Sequence, residues 1–438
     1  MPSNTTLTVS DNLTVTDYSG SYARTDLAKA VAYWANIIES ITDPRPLAIC
    51  FGAGSTTFQT VAILLAIIDS GRNYYKFDQL APGAVKETIK YPKIEGGVSV
   101  TFIAGTVQTD FDYSNDPFIH EVESIENRQQ ALAYHTEHSL DITFRLDQKR
   151  YNNTSGTTTG YPKLIEASVG SDGYSVKAAM DYYIKETDHC VFAHSMSHLG
   201  VHTTAILPSI FKASTVTFAD TGPGWVDQIS KGTHTQFFYT MLDHYTFPNE
   251  HCIETVTTGG DYLSATMVNE LIYNKGIKRI VDIYGLTEAA PPLAIREITS
   301  LEDLSKPFIW INDAYECYLN DNGVAVVVRP DGVHWISNDH ARYDSSTKEF
   351  YYLGRQGAGL KIRMRGLLFE NYEFREKFEL ETNIVNYFLD ATGEGLPILI
   401  ITCKDEEAVA NFIREYEVTV ELKIVNTIDT NGGIKNTR

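Results

Sequence analysis

Paired cysteines, a surplus of positive charge and long apolar runs are all missing from this 438-residue chain. The five cysteines, Cys50, Cys190, Cys252, Cys317 and Cys403, are scattered and form no Cys-x-x-Cys pair. That argues against a disulfide framework or a zinc knuckle and fits a reducing compartment, the cytoplasm. Acidic residues outnumber basic ones by 56 to 36, a formal net charge of −20. A broad phosphate-tracking surface needs clustered Lys and Arg, so nucleic acid is not an expected partner, while a local basic pocket for a nucleotide stays compatible. The longest apolar run, Val61 to Ile68, is far short of the about 20 residues that a spanning helix needs. The opening MPSNTTLTVSDN has neither a basic n-region nor an apolar h-region, so no secretory leader and no membrane anchor are expected. No fixed-period repeat or low-complexity tract is visible, which removes solenoids, propellers and disordered chains.

What is present is ordinary globular composition, 43% hydrophobic and 21% charged. The length exceeds what one core usually supports, so two domains, or one with an appendage, are expected. Asp26 to Ser40 repeats apolar residues at three and four, an amphipathic helix; LAICFG then reads as a buried strand and Thr56 to Gly71 as a glycine-closed helix. The alternation resumes with VKAAMDYYIKE (helix), HCVFAH (strand), HTTAILPSIF (helix) and STVTFA (strand). ETVTTGG, SATMVNELIYNKG and KRIVDIYG add strand, helix, strand, which places YGLTE just past a strand's carboxyl end, where α/β sheets collect ligands. The fold class is therefore α/β: a large layered N-terminal domain, its β-sheets flanked by helices, and a small α+β C-terminal domain. Gly354, Gly357 and Gly359 suggest a hinge between residues 1–353 and 354–438. Beyond it, FENYEFREKFELETNIVNYF reads as a helix, PILIITC as a strand and DEEAVANFIREYE as a helix.

The stretch YNNTSGTTTGYPK, Tyr151 to Lys163, has the parts of a phosphate cradle: small residues for close approach, hydroxyls, and a terminal Lys. It is not a Walker A loop, because Lys163 follows Pro162 and a strand-like LIEAS follows in place of a helix. On its own residues it is equally a Ser/Thr/Gly hairpin loop.

Together with later segments, the loop resembles the adenylate-forming superfamily of acyl- and aryl-CoA synthetases, luciferases and peptide-synthetase adenylation domains. TSGTTTGYPK matches that family's phosphate loop with one extra Thr among Thr157, Thr158 and Thr159, and Tyr284-Gly285-Leu286-Thr287-Glu288 matches its second signature intact. TTGGDYLS, with Gly259 and Gly260, is similar to its Gly-Gly segment one helix upstream. ISNDHARYD is similar to its Thr-Gly-Asp segment, and YYLGRQGAGLKIRMRGLLFENYEFRE to its Gly-Arg stretch. Order across Thr154 to Glu376 weighs more than any single degenerate match.

The resemblance implies an enzyme that activates a carboxylate on MgATP to an acyl-adenylate, releasing pyrophosphate, with CoA or a carrier-protein pantetheine as the usual acceptor. It implies that Thr154, Ser155, Gly156, Thr157, Thr158, Gly160 and Lys163 hold the β- and γ-phosphates, that Glu288 ligates Mg²⁺ and that Thr287 meets the α-phosphate. It further implies Tyr284 and Gly285 beside adenine, Asp339 on the ribose hydroxyls, and Arg355 on ribose or phosphate. The family's C-terminal Thr-x-Gly-Lys ends here as TIDTNGGIKNTR, so Lys435 is the substitute candidate, an alternative being a solvated tail lysine. Asn338 replaces the Gly before Asp339, and Gly357-Ala358 replaces the hinge acid.

His194, His198 and His202 recur every four residues, a spacing that would align imidazoles for zinc on a helix. The segment leaves a strand and lacks a His-Glu-x-x-His motif, so acyl-pocket lining is preferred, with His198 the candidate and His194 its rival. Ala193 stands where amino-acid-activating members carry an Asp for the substrate ammonium; a buried unpaired ammonium is costly, so a carboxylic acid without an α-amine is favoured. Transfer to an amine, arrest at the adenylate, and a non-catalytic nucleotide-binding module are the alternatives.

Overall fold

The structure, a computed structural model, describes residues 3–51, 56–78, 97–104, 119–153, 164–193, 196, 199–219, 225–237, 250–260, 263, 265–355, 362–364, 367–369, 378, 382, 387–390, 398–402, 406–418 and 420–425. The helix Arg24–Ser40 buries Leu27, Val31, Trp34 and Ile38 on the face expected from their spacing. Phe58–Ser70 is mostly apolar and is buried on every face from Phe58 to Ile68; Thr57 caps it by accepting from the Thr60 N–H, and Gly71 closes it at φ 73°.

Inside the antiparallel edge strand Gly20–Ala23, the larger of two major sheets has parallel strands in the order Thr14–Asp17, Thr215–Phe218, His189–Phe192, His234–Gln236, Thr255–Gly259 and Arg279–Tyr284. It continues antiparallel through Ala294–Ile298, Phe308–Trp310, Glu349–Arg355, His334–Asp344, Val324–Val328 and Glu316–Leu319. His189–Phe192 is flanked by the next strand of the chain on one side and the one after it on the other. Strand order therefore reverses there, and the crevice that such a reversal opens lies beyond Phe192 and Gln236.

The second sheet runs Leu164–Ser168, Lys149–Asn153, Tyr74–Asp78, Leu47–Phe51, Thr101–Ala104 and Ile119–Glu121. One core links the two sheets, running from Leu47, Ile49 and Phe102 through the helices to Val216, Phe192 and Val281. Burial of this continuous apolar surface is the main force holding the layers together. A smaller C-terminal part carries the three-stranded sheet Tyr387–Asp390, Ile398–Thr402 and Glu421–Val425 with the helix Glu406–Glu415. Leu399, Ile401, Val409 and Phe412 form its core.

Two expectations need correction. The helix after LIEAS starts at Val169, not Val176. Gly170 and Gly173 lie in its first turns, where each admits a close neighbour: an added Cβ would lie 2.7 Å from Leu146 Cδ2 at Gly170 and 2.6 Å from Phe144 Cβ at Gly173. Packing overrides propensity here. The helix expected across Phe369 to Phe388 is too long, since Leu367–Phe369 and Tyr387–Asp390 are strands. Phe369 pairs with Ile362 and Phe388 with Ile400, so ladder hydrogen bonds take both ends.

Candidate active site

The strand Arg279–Tyr284 ends at Tyr284, and the backbone then turns through the short 3₁₀ segment Thr287–Ala289. Several elements pin this turn. The Leu293 N–H donates to Tyr284 O at 3.0 Å, Ser175 Oγ donates to Ala290 O, and Thr203 Oγ1 donates to Pro291 O. Gly285 has no room for a side chain, because a Cβ would stand 2.3 Å from Pro291 Cβ. On the neighbouring strand Gly259 lies opposite Ile283, and a Cβ there would meet Ile283 O at 2.6 Å. Gly260 follows at φ 87°, a left-handed backbone that glycine adopts without strain. The Gly-Gly segment and the Tyr-Gly-Leu-Thr-Glu turn thus share one corner of the sheet.

Tyr284 Oη donates to Asp339 Oδ2 at 2.9 Å, with both residues buried. Burial first, and the Asp339 charge next, raise the phenol far above its ordinary value, so it stays a donor. The Tyr284 ring packs against Phe350 at 4.4 Å between centroids and is flanked by Phe308 and Tyr352. Asp339 is held in turn: its N–H donates to Ser337 Oγ at 2.9 Å, and Ser337 Oγ donates to Ala325 O at 2.8 Å. Asn338 between them has φ 61°. Asn tolerates that left-handed region better than most residues, so it holds this backbone at little cost. Asp339 pairs in register with Arg355 on the adjacent strand; the Arg355 side chain lies outside the described residues.

The loop Thr154–Lys163, with Ser155, Gly156, Thr157, Thr158 and Gly160, also lies outside the described residues, as do His194, His198 and Lys435. Its flanks are described. Lys149–Asn153 and Leu164–Ser168 pair antiparallel with Leu164 opposite Asn153, so the loop joins the two strands of a hairpin. On the entering strand, the fully buried Arg150 donates to Asp172 through Nε at 2.7 Å and Nη2 at 3.0 Å. Breaking such a buried pair costs about 3–5 kcal/mol.

Arg329, which the sequence reading did not single out, joins the hairpin to the turn. Its Nη1 donates to Glu166 O at 3.0 Å, on the strand leaving the loop, and to Glu288 O at 3.1 Å. Asp331 fixes the same guanidinium through Nε at 3.1 Å and Nη2 at 2.6 Å. The only sequence signal was an Arg-Pro-Asp-Gly turn after an apolar strand. Glu288 itself is half-buried and makes no ion pair among the described residues. A lone carboxylate fits a hard divalent cation whose remaining ligands are phosphate and water oxygens.

Among the described residues no zinc arrangement forms around the third histidine of the repeat. The helix begins at Leu199, after His194 and His198, and His202 is buried in it with no second metal-binding side chain grouped to it among the described residues. Asp188, Cys190 and His234 do lie within 4.8 Å of one another, at the amino ends of their strands, away from Tyr284. Both His234 nitrogens are engaged there, Nδ1 with Asp188 at 3.4 Å and Nε2 with Thr257 Oγ1 at 2.6 Å, which accounts for the cluster as packing.

Residues 151–327 match the family model described as AMP-binding enzyme. Among solved structures it resembles o-succinylbenzoate CoA synthetase (MenE) from Bacillus subtilis in complex with the acyl-adenylate intermediate OSB-AMP. That likeness has a TM-score of 0.69 at 15% identity and covers 96% of this chain and 93% of that one. The anthranilate CoA ligase AuaEII in complex with anthranoyl-AMP gives 0.72 at 12% identity, covering 96% and 92%. The amide bond synthetase McbA from Marinactinospora thermotolerans gives 0.67 at 14%, covering 94% and 93%. At such identities the likeness is one of fold, and it extends over the large α/β part and the smaller C-terminal part together. No curated protein is significantly similar to the chain in sequence.

Proposed function

We propose that the protein activates a carboxylic acid with ATP and Mg²⁺, forming an acyl-adenylate and pyrophosphate, and passes the acyl group to the thiol of CoA or a carrier-protein pantetheine. The observation that carries this reading is the Arg329 bridge, which brings the strand leaving the Thr154–Lys163 loop and the Glu288 turn onto one guanidinium. A phosphate loop and a cation-binding carboxylate must be fixed relative to each other if a phosphoryl centre is to be positioned and its charge neutralised.

In this reading Thr154, Ser155, Thr157, Thr158 and Lys163, with the backbone of Gly156 and Gly160, hold the β- and γ-phosphates. Glu288 holds Mg²⁺, and Thr287 binds the α-phosphate. Mg²⁺ bound there would supply neutralisation of the phosphate charge. Gly259, Gly260, Tyr284 and Gly285 border the nucleotide, Asp339 accepts from the ribose, and Arg355 contacts ribose or phosphate. Lys435 is the proposed C-terminal lysine. We place the domain limits at 1–353 and 354–438, His198 or His194 at the mouth of the acid pocket, and the protein in the cytoplasm. Among the described residues no helix is long and apolar enough to cross a membrane.

Pyrophosphate exchange with a panel of carboxylates tests the reading. Exchange that depends on Lys163 and Glu288 supports it, and ATP binding without exchange under any acid would make the protein a nucleotide-binding module instead. A second reading, transfer to an amine, draws on the likeness to an amide bond synthetase. Supplying CoA or amines to the adenylate and identifying the product separates the two.

A further inference from the structure

His202 is completely buried, yet neither of its ring nitrogens has a hydrogen-bond partner among the described residues. Buried polar side chains are almost always paired, because an unpaired one forfeits its water without replacement. Nor is the backbone around it regular. His202 opens the π-helical stretch His202–Ile206 in a helix that runs from Leu199 to Lys212, and such widened turns recur at functional sites.

Its surroundings lead to the proposed ATP site by three routes. Thr203, the next residue, donates to Pro291 O in the turn that carries Glu288. Lys76, itself buried, donates through Nζ to Met196 O at 2.9 Å, in the segment that joins the switch-point strand to this helix. Arg150 lies on the strand that enters the phosphate loop. Burial, then the charges of Lys76 and Arg150, push the His202 pKa well below its ordinary value, so the ring is neutral and offers one N–H donor and one lone pair. Asp172 offsets the Arg150 charge, so the Lys76 ammonium is the cation that favours an electron-rich oxygen in this region.

We propose that His202 is a specificity-determining residue that binds a hydroxyl or carboxylate oxygen on the acid substrate, at a position remote from the carboxyl group that is activated. This rests on the carboxylate-adenylating reading above and narrows its substrate class: acids with a second oxygen function over purely hydrocarbon ones. A bound oxygen would supply the partner that the ring lacks, whereas a hydrocarbon acid would leave it unpaired, and sites of that kind discriminate strongly against the analogue without the polar group.

The test compares benzoate with salicylate and para-hydroxybenzoate, and hexanoate with adipate, in pyrophosphate exchange and in calorimetric binding. The native protein should favour at least one oxygen-bearing acid over its plain partner by about tenfold or more in kcat/KM. His202→Phe should erase that ratio and His202→Gln should retain part of it. Because the His202 ring makes no hydrogen bond among the described residues, the Phe variant should fold with an unchanged or higher melting temperature, and His202→Leu replaces it if it does not fold. An equal preference in native and apolar variants, or no preference in the native protein, overturns the proposal. If no acid supports exchange but calorimetry still shows a His202-dependent preference, the ATP-dependent reading fails and the oxygen subsite stands. Equal calorimetric affinities would sink the subsite as well.

Discussion

Tyr284 and Asp339 stand 55 residues apart in sequence and share a 2.9 Å hydrogen bond, phenol to carboxylate, across two strands of the main sheet. It connects the last residue of the parallel run to the strand His334–Asp344, so the corner where the Glu288 turn begins is braced on the antiparallel side of the sheet. Tyr284→Phe keeps the ring between Phe350 and Phe308 and removes the donor to a buried carboxylate. Hydrogen bonds to charged groups contribute about 1.5–3 kcal/mol, so a loss of that size in chemical denaturation is expected. A variant as stable as the native protein would show that the bond contributes nothing. If Asp339 also receives the ribose, KM for ATP should rise more than kcat falls.

Gly285 and Gly260 make opposite predictions for the same substitution. Gly285→Ala places a Cβ 2.3 Å from Pro291 Cβ, which the ring and backbone of a pinned turn cannot accept without displacement. Overpacking of this kind costs about 1–3 kcal/mol, and the displaced turn should weaken exchange activity as well. Gly260→Ala meets open space and has only the left-handed φ of 87° to overcome, a cost of about 1–2 kcal/mol. Thermal melts and exchange rates on the two variants should therefore separate: stability falls in both, and activity falls further at Gly285.

How legible this was in the sequence depends on whether a residue's partner is local. The strand end at Tyr284 and the buried helix Phe58–Ser70 follow from periodicity and glycine placement, which act over a few residues, whereas the Gly259–Gly260 segment was marked by the family resemblance. Asn338 was readable as a departure from glycine, and its φ of 61° shows why the departure is tolerated. Arg329 was not readable, because its partners are the carbonyl oxygens of Glu166 and Glu288, and a backbone carbonyl leaves no trace in sequence. The early start of the helix Val169–Tyr182 was hidden for a related reason: Gly170 and Gly173 are explained by Leu146 and Phe144, which only the fold brings near. His202 was noticed for its spacing, while its isolation inside the protein became visible only in three dimensions.

Two buried histidines set a pH dependence. Burial lowers His202 well below the ordinary value of 6.5, helped by Lys76 and Arg150. Burial also lowers His234, with Asp188 opposing it only in part. Below about pH 6.5 the unfolded chain therefore binds protons that the folded chain refuses, and stability declines as pH falls. The melting temperature should drop between about pH 7 and pH 5, above the range where unfolded carboxylates begin to titrate. His202→Phe should flatten part of that slope. A slope identical in the variant would mean that His202 is protonated in the folded protein.

The last prediction concerns Arg329, whose Nη1 is shared between Glu166 O and Glu288 O while Asp331 takes the other side of the fork. A planar guanidinium can meet a carboxylate and two carbonyls at once, whereas a lysine ammonium is a point charge that cannot hold all of them. Arg329→Lys should retain the charge and lose the bridge. Two carbonyls left short of a donor in a nearly buried site predict a stability loss of about 1–3 kcal/mol. Stability alone would be a structural effect. If the bridge sets Glu288 against the phosphate loop, exchange in Arg329→Lys should also need a higher Mg²⁺ concentration for half-maximal rate, and saturating Mg²⁺ should restore much of the rate. A variant that melts earlier but titrates with Mg²⁺ like the native protein would reduce Arg329 to a strut. The Glu288→Gln variant supplies the comparison, since removing the carboxylate charge should depress the rate at every Mg²⁺ concentration.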